Sequence, residues 1–104
     1  ALFVCSMNKW RSRTAESVYK DSRDIDVKSA GTSKLARIKI NRKLIDWADI
    51  IFVMEQKHQD QIVKKYKLDP RHHNFVILEI EDNYKYLDDD LIQMIEDQVE
   101  IYIN

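Results

Sequence analysis

Four short apolar runs, each followed by a stretch with helical spacing, constrain this chain more than any other feature. Leu2-Phe3-Val4-Cys5 is the first, and Ile25-Asp26-Val27-Lys28 follows with the alternation of an edge strand. Asp49-Ile50-Ile51-Phe52-Val53-Met54 is continuous and β-branched, the pattern of a strand buried on both faces, and Phe75-Val76-Ile77-Leu78 is the fourth run. Helical spacing fills the intervals. Ser12 to Arg23 carries Ala15, Val18 and Tyr19, and Asn41 to Ala48 carries Leu44, Ile45 and Trp47. Gln56 to Tyr66 carries Ile62, Val63 and Tyr66 and ends before Asp69-Pro70, a stop signal. Asp88-Asp89-Asp90 suits a helix N-terminus, and Leu91, Ile92, Ile95, Val99 and Tyr102 continue from it as a stripe. Trp47, Phe52 and Tyr66 are expected in the core. Alternating strands and helices predict an α/β fold, a doubly wound parallel sheet with helices on both faces. Such sheets bind ligands outside the carboxyl ends of their strands, so the loops after Cys5, Lys28, Met54 and Ile80 are the ones expected to carry a site.

Composition narrows the classes. A chain of 104 residues is one domain, 1–104, and 44% hydrophobic residues suffice for a core. One cysteine excludes an intramolecular disulfide and any cysteine-rich metal centre. The net charge of −1 gives no bulk attraction to nucleic acid. No apolar run approaches the roughly 18 residues of a membrane span, and no secretory pattern is visible, so a cytoplasmic protein with no membrane partner is expected. His58, His72 and His73 have no companions at ligand spacing, and no metal or cofactor is expected. The charge is unevenly placed: residues 1–47 hold 11 basic and 5 acidic residues, whereas 48–104 hold 6 and 13. The first half is thus suited to a small anion, although charges partitioned between solvated surfaces would look the same.

The loop after the first strand is the most informative. It reads Cys5-Ser6-Met7-Asn8-Lys9-Trp10-Arg11-Ser12, with a cysteine closing a strand and an arginine opening a helix. Five intervening residues can wrap so that successive backbone N–H groups point at a bound phosphate, and the helix adds its positive end. Arg11 offers a planar fork for two phosphate oxygens. Helix N-termini and neighbouring cations also favour the thiolate, the nucleophilic form of cysteine.

These residues resemble the low-molecular-weight protein tyrosine phosphatases, whose loop reads approximately V-C-x-G-N-x-C-R-S. Val4, Cys5, Asn8, Arg11 and Ser12 match it in register. Lys28-Ser29-Ala30-Gly31-Thr32 is similar to the family's S-A-G-T segment, Trp47 to Met54 to its A-D-x-I-x-x-M run, and Asp82-Asn83-Tyr84 to its D-P-Y loop. A short branch with the loop C-S-M-N-x-x-R-S looks most similar. The resemblance implies four parallel strands in the order 2-1-3-4 and a metal-independent phosphomonoesterase acting through a phosphocysteine. Its partner would be a phosphotyrosyl protein or small aryl phosphate, and the protein a monomer or weak homo-oligomer. Met7 stands where the family has Gly, Trp10 where it has a second Cys, Arg13 where Pro is usual, and Asn83 where Pro follows the acid. A residue forced into a glycine conformation at Met7 would carry backbone strain. Absence of the second cysteine argues against arsenate reductase, a relative that needs further cysteines.

Roles follow from the resemblance, each beside a plainer reading. Cys5 is the nucleophile, or a buried strand-end cysteine. Arg11 binds the equatorial oxygens, since a first helical turn disfavours a merely structural cation. Ser12 donates to the sulfur, caps the helix, or does both. Asn8 fixes the loop and tolerates a left-handed backbone, or is an ordinary turn residue. Ser6, Met7, Lys9 and Trp10 complete the phosphate and substrate contacts. Asp82 is the general acid, with Glu81 and Asp88 as competitors; alternation along a strand reaching Ile80 would favour Asp82. Tyr84, Tyr86 and Trp10 wall an aromatic substrate or are packing. Lys9 and Arg13 attract acidic phosphopeptides or are solvated. Of two rivals, a catalytically silent phosphate- or phosphopeptide-binding module on this fold remains in view and a receiver domain is set aside. The second needs acids at the ends of the first and third strands, where Cys5 and Met54 stand.

Overall fold

The structure is a computed structural model and describes residues 1–103. The first strand, β1 (Leu2–Cys5), leads into α1 (Arg11–Tyr19), followed by β2 (Lys28–Gly31) and α2 (Arg42–Trp47). The third strand, β3 (Ile51–Val53), leads into α3 (Gln56–Tyr66); after a single 3-10 turn at Pro70–His72 come β4 (Phe75–Ile77) and α4 (Asp89–Ile103). The strands pair in parallel in the order β2-β1-β3-β4.

Strand alternation divides the core into two layers. Phe3 and Cys5 of β1 face α1 and α4, where they join Ala15, Tyr19, Phe52, Met54, Leu91, Ile95 and Val99. Leu2 and Val4 face the other way, with Ile40, Ile45, Ile51, Val53 and Ile62 under α2 and α3. β1 is central and buried at every position, which is why its four residues are all apolar. Phe3 anchors the first layer, stacked on Phe52 at 5.0 Å and on Tyr19 at 6.1 Å.

Several expectations are corrected. The second strand is not Ile25–Lys28 but starts at Lys28, with Phe3 opposite Ser29, Val4 opposite Ala30 and Cys5 opposite Gly31. Ile25 and Val27 are half-buried against the core just ahead of the ladder, which gives them their alternation. The strand itself uses small residues because another backbone passes over its end. A Cβ on Gly31 would press into Ser6 O and stand 2.6 Å from Ala36 Cβ and 3.0 Å from Asn8 N. Trp47 is 36% exposed rather than core, with Lys28 Nζ 4.5 Å above its ring. The fourth strand ends at Ile77, because Glu79 takes a left-handed φ of 56° that breaks the ladder. Leu78 and Ile80 nonetheless stay buried, their N–H groups held by Val53 O and Met54 O. α1 ends at Tyr19, short of Arg23.

Candidate active site

The loop between β1 and α1 is held from outside. Cys5 O accepts from Thr32 N–H (3.0 Å), Ser6 O from Ser33 N–H (2.9 Å) and Met7 O from Arg37 N–H (3.0 Å), while Asn8 O accepts from Arg37 Nε (3.0 Å). With every peptide bond trans, pinning these carbonyls outward turns the following N–H groups the opposite way. Among the described residues, nothing engages the N–H of Ser6, Met7, Lys9 or Trp10, and that of Asn8 points at Cys5 Sγ (3.3 Å). The left-handed turn this requires falls on Asn8, φ 54°, and not on Met7. Met7 therefore escapes the strain expected of a residue replacing glycine, and asparagine tolerates the turn where other residues resist it.

The sulfur of Cys5 sits at the base of a cleft of about 210 Å³ lined by Cys5, Met7, Lys9, Trp10, Arg11 and Asp82. Ser12 Oγ lies 3.0 Å from Sγ and accepts from Asn8 Nδ2 (2.8 Å), which leaves its one proton for the sulfur or for Ala30 O (3.4 Å). Arg11, 2% exposed, is fixed on one side: Nη1 donates to Ile80 O (2.8 Å) and to Glu55 Oε1 (3.0 Å). Among the described residues its Nε has only Asp82 Oδ1 at 3.7 Å, so the Nε–Nη2 edge is the part of the fork left for an anion. Asp82 stands at the rim with its side chain 60% exposed, whereas Glu81 turns aside to accept from Asn83 Nδ2 (2.7 Å). Trp10 and Met7, both more than a third exposed, give the cleft its apolar wall.

The remaining expected residues lie nearby in other roles. Ser6 is half-buried, its hydroxyl tied to His58 Nε2 (2.9 Å). Tyr84 packs on the core layer under α1 and α4, and is not among the residues lining the cleft. Tyr86 docks the segment after β4 on α1, with Ser17 Oγ at 2.7 Å from its hydroxyl and Arg13 stacked on its ring at 4.4 Å; Leu87 N–H donates to Thr14 Oγ1 (2.9 Å). A larger cavity of about 430 Å³ opens at the other end of the sheet, lined by Asp24, Asp26, Asp49, Trp47 and Tyr102, and its lining has no cysteine or arginine. Among the described residues no group of three or more His, Cys, Asp or Glu is placed to hold a metal ion, and no helix is long and apolar enough to cross a membrane.

Two residues of the site escaped the sequence reading, Glu55 and His58. Glu55 is held below the ordinary carboxylate range: burial pushes it up, but Lys57 and the Arg11 guanidinium outweigh that. His58 is fully buried and lowered to about 4, chiefly by burial and then by the charge of Arg11. Their spacing was the available signal. An N-cap residue followed three positions later by a side chain that reaches back to its N–H is a capping box, here with histidine in the returning role.

No protein-family model matches the sequence, and no curated protein matches it. Solved structures do. SP-PTP, a low-molecular-weight protein tyrosine phosphatase from Streptococcus pyogenes, superposes with a TM-score of 0.78 over 99% of this chain and 92% of its own, at 16% identity. The tyrosine phosphatase Wzb from Escherichia coli K30, in complex with phosphate, gives 0.73 over 98% and 94%, at 21% identity. The fold is that of the low-molecular-weight protein tyrosine phosphatases. The YwlE arginine phosphatase from Geobacillus stearothermophilus shares this phosphatase fold, at a TM-score of 0.70 over 96% and 90% of the chains and 21% identity.

Proposed function

We propose that the chain belongs to the low-molecular-weight protein tyrosine phosphatase family and hydrolyses phosphate monoesters through a phosphocysteine on Cys5. One observation carries the reading. The loop that begins at Cys5 has its carbonyls tied outward and its N–H groups inward, around a cleft that also holds the free edge of Arg11. That arrangement fits a tetrahedral dianion and the trigonal transition state derived from it.

In this mechanism the Cys5 thiolate attacks phosphorus in line, forming the S–P bond as the P–O bond to the leaving group breaks. Asp82, which lines the same cleft as Cys5, gives its proton to the departing oxygen. Its carboxylate then removes a proton from water, which attacks phosphorus and releases inorganic phosphate and the thiolate. Arg11 and the loop N–H groups meet the charge on the equatorial oxygens, so the chemistry calls for no metal ion. Ser12 stabilises the sulfur as leaving group in the second step. The Trp10–Met7 wall supports an aryl phosphate or a phosphotyrosyl protein as substrate.

Hydrolysis of p-nitrophenyl phosphate tests the reading. Wild type turns over and is indifferent to EDTA; Cys5→Ser loses turnover yet retains phosphate binding, because the cradle is mostly backbone. Activity of Cys5→Ser above about one hundredth of wild type removes the covalent step. Phosphate binding by a wild type without turnover establishes instead the silent binding module.

A further inference from the structure

Of the three histidines, only His58 is enclosed, and both of its ring nitrogens are engaged. Nδ1 accepts the backbone N–H of Glu55 (3.1 Å), which leaves the ring proton on Nε2, and Nε2–H donates to Ser6 Oγ (2.9 Å). The two residues it joins stand on either side of the cleft chemistry. Ser6 follows Cys5 in the loop, and the Glu55 carboxylate holds Arg11 Nη1. His58 itself does not line the cleft.

We propose that His58 is a positioning residue that sets the placement of the Cys5 sulfur relative to the Arg11 guanidinium, by tying Ser6 to the Glu55 turn. The proposal rests on the phosphatase reading above. Three observations support it. Glu55 is pulled two ways, by Arg11 at 3.0 Å and by Lys57 at 3.2 Å, so its carboxylate alone does not define where Arg11 sits. The left-handed turn at Asn8 fixes the middle of the loop, while the Ser6 side chain has no other partner among the described residues. A planar ring with two fixed hydrogen-bond directions holds the Glu55 N–H and the Ser6 hydroxyl at a set separation, which a flexible chain does not. The neutral ring suits this task, because a protonated Nδ1 would oppose the Glu55 N–H, and burial with Arg11 nearby keeps the ring neutral down to about pH 4.

The test compares wild type, Ser6→Ala, Ser6→Thr and His58→Gln by p-nitrophenyl phosphate kinetics, vanadate binding and thermal unfolding. Ser6→Ala removes the acceptor of Nε2–H and little else. It should lower kcat about tenfold and weaken vanadate, a transition-state mimic, by a similar factor, with KM within about twofold and the midpoint within a few degrees of wild type. Ser6→Thr should restore most of kcat. His58→Gln, whose amide can still accept from Glu55 and donate to Ser6, should fall between the two; if it does not fold, the serine variants decide. Ser6→Ala with wild-type kcat and vanadate affinity overturns the proposal. So does a loss of kcat in step with a collapse of thermal stability. A wild type that neither turns over nor binds vanadate fails differently, taking the phosphatase reading down first.

Discussion

Gly31→Ala tests how the second strand meets the cysteine loop. Gly31 does not occupy the left-handed region, so alanine meets no backbone strain there. A stiffer unfolded chain would by itself stabilise the variant by about 0.4–1 kcal/mol. Steric terms oppose this. The new methyl would press into Ser6 O and sit 2.6 Å from Ala36 Cβ and 3.0 Å from Asn8 N. Two of these atoms are backbone and already committed, Ser6 O to Ser33 N–H and Asn8 N–H to Cys5 Sγ, so neither yields freely. Overpacking of this kind costs about 1–3 kcal/mol, and the upper part of that range applies where backbone must move. The net expectation is a loss of about 1–2 kcal/mol, which lowers the midpoint of thermal unfolding by roughly 5–15 °C for a domain of this size. Catalysis should suffer as well, by up to about 10²-fold in kcat/KM, because the displaced atoms belong to the loop proposed to cradle the phosphate. Thermal and urea unfolding with p-nitrophenyl phosphate kinetics measure both effects. An unchanged or raised midpoint with wild-type kinetics would refute the reasoning, since the methyl would then have room and the 32–37 segment would not press on the loop.

Other residues give independent expectations. Asp82→Asn should slow hydrolysis of phosphotyrosine strongly and of esters of acidic phenols much less, since a good leaving group departs without a proton; equal losses, or this pattern in Glu81→Gln instead, would move the assignment. His58 is lowered from 6.5 to about 4 on folding, so the unfolded chain takes up a proton first as the pH falls and native stability declines through that window. Between pH 7.5 and 5, urea unfolding should show wild type losing about 2 kcal/mol more than His58→Gln; parallel curves would contradict this. Tyr19 Oη is buried without a hydrogen-bond partner among the described residues, and burial, with Glu100 and Glu96 nearby, pushes its pKa up to about 12. Tyr19→Phe should therefore unfold at the same denaturant midpoint as wild type or a higher one, whereas a loss of about 1 kcal/mol would show that the hydroxyl has a partner.

What was legible in the sequence was what local physics dictates. β1 shows because a central strand must be apolar throughout, and α3 matches its expected bounds because Asp69-Pro70 stops it and Lys67 accepts the left-handed cap. Cys5, Arg11 and Ser12 stand out because a phosphate loop of the proposed kind needs them at fixed offsets. The second strand was misplaced because its residues answer to a long-range demand, the loop crossing Gly31, and small side chains carry no strand signal. Alternation toward Asp82 assumed a ladder that Glu79 interrupts, although Asp82 still reaches the cleft. Arg37 acts on the loop from a distant segment and nothing local marks it, while the capping-box spacing marks Glu55 but not its pairing with Arg11.

The partnership between Arg11 and Glu55 bears on how such a site empties. After each cycle the tightest small ligand in the cleft would be the product itself, a free phosphate surrounded by the N–H groups that bound it as an ester. A bare arginine at the bottom would hold that ion against departure and make release the slow step. Here one nitrogen of the guanidinium is already shared between a carboxylate and a backbone carbonyl, which tempers the positive field without moving the charge. The bound nitrogen also keeps the side chain in place when the cleft is empty, so an incoming dianion need not order it. Removing Glu55 would take away the tempering carboxylate while Ile80 O still held the nitrogen in place, and the variant would be inhibited by phosphate more strongly than wild type.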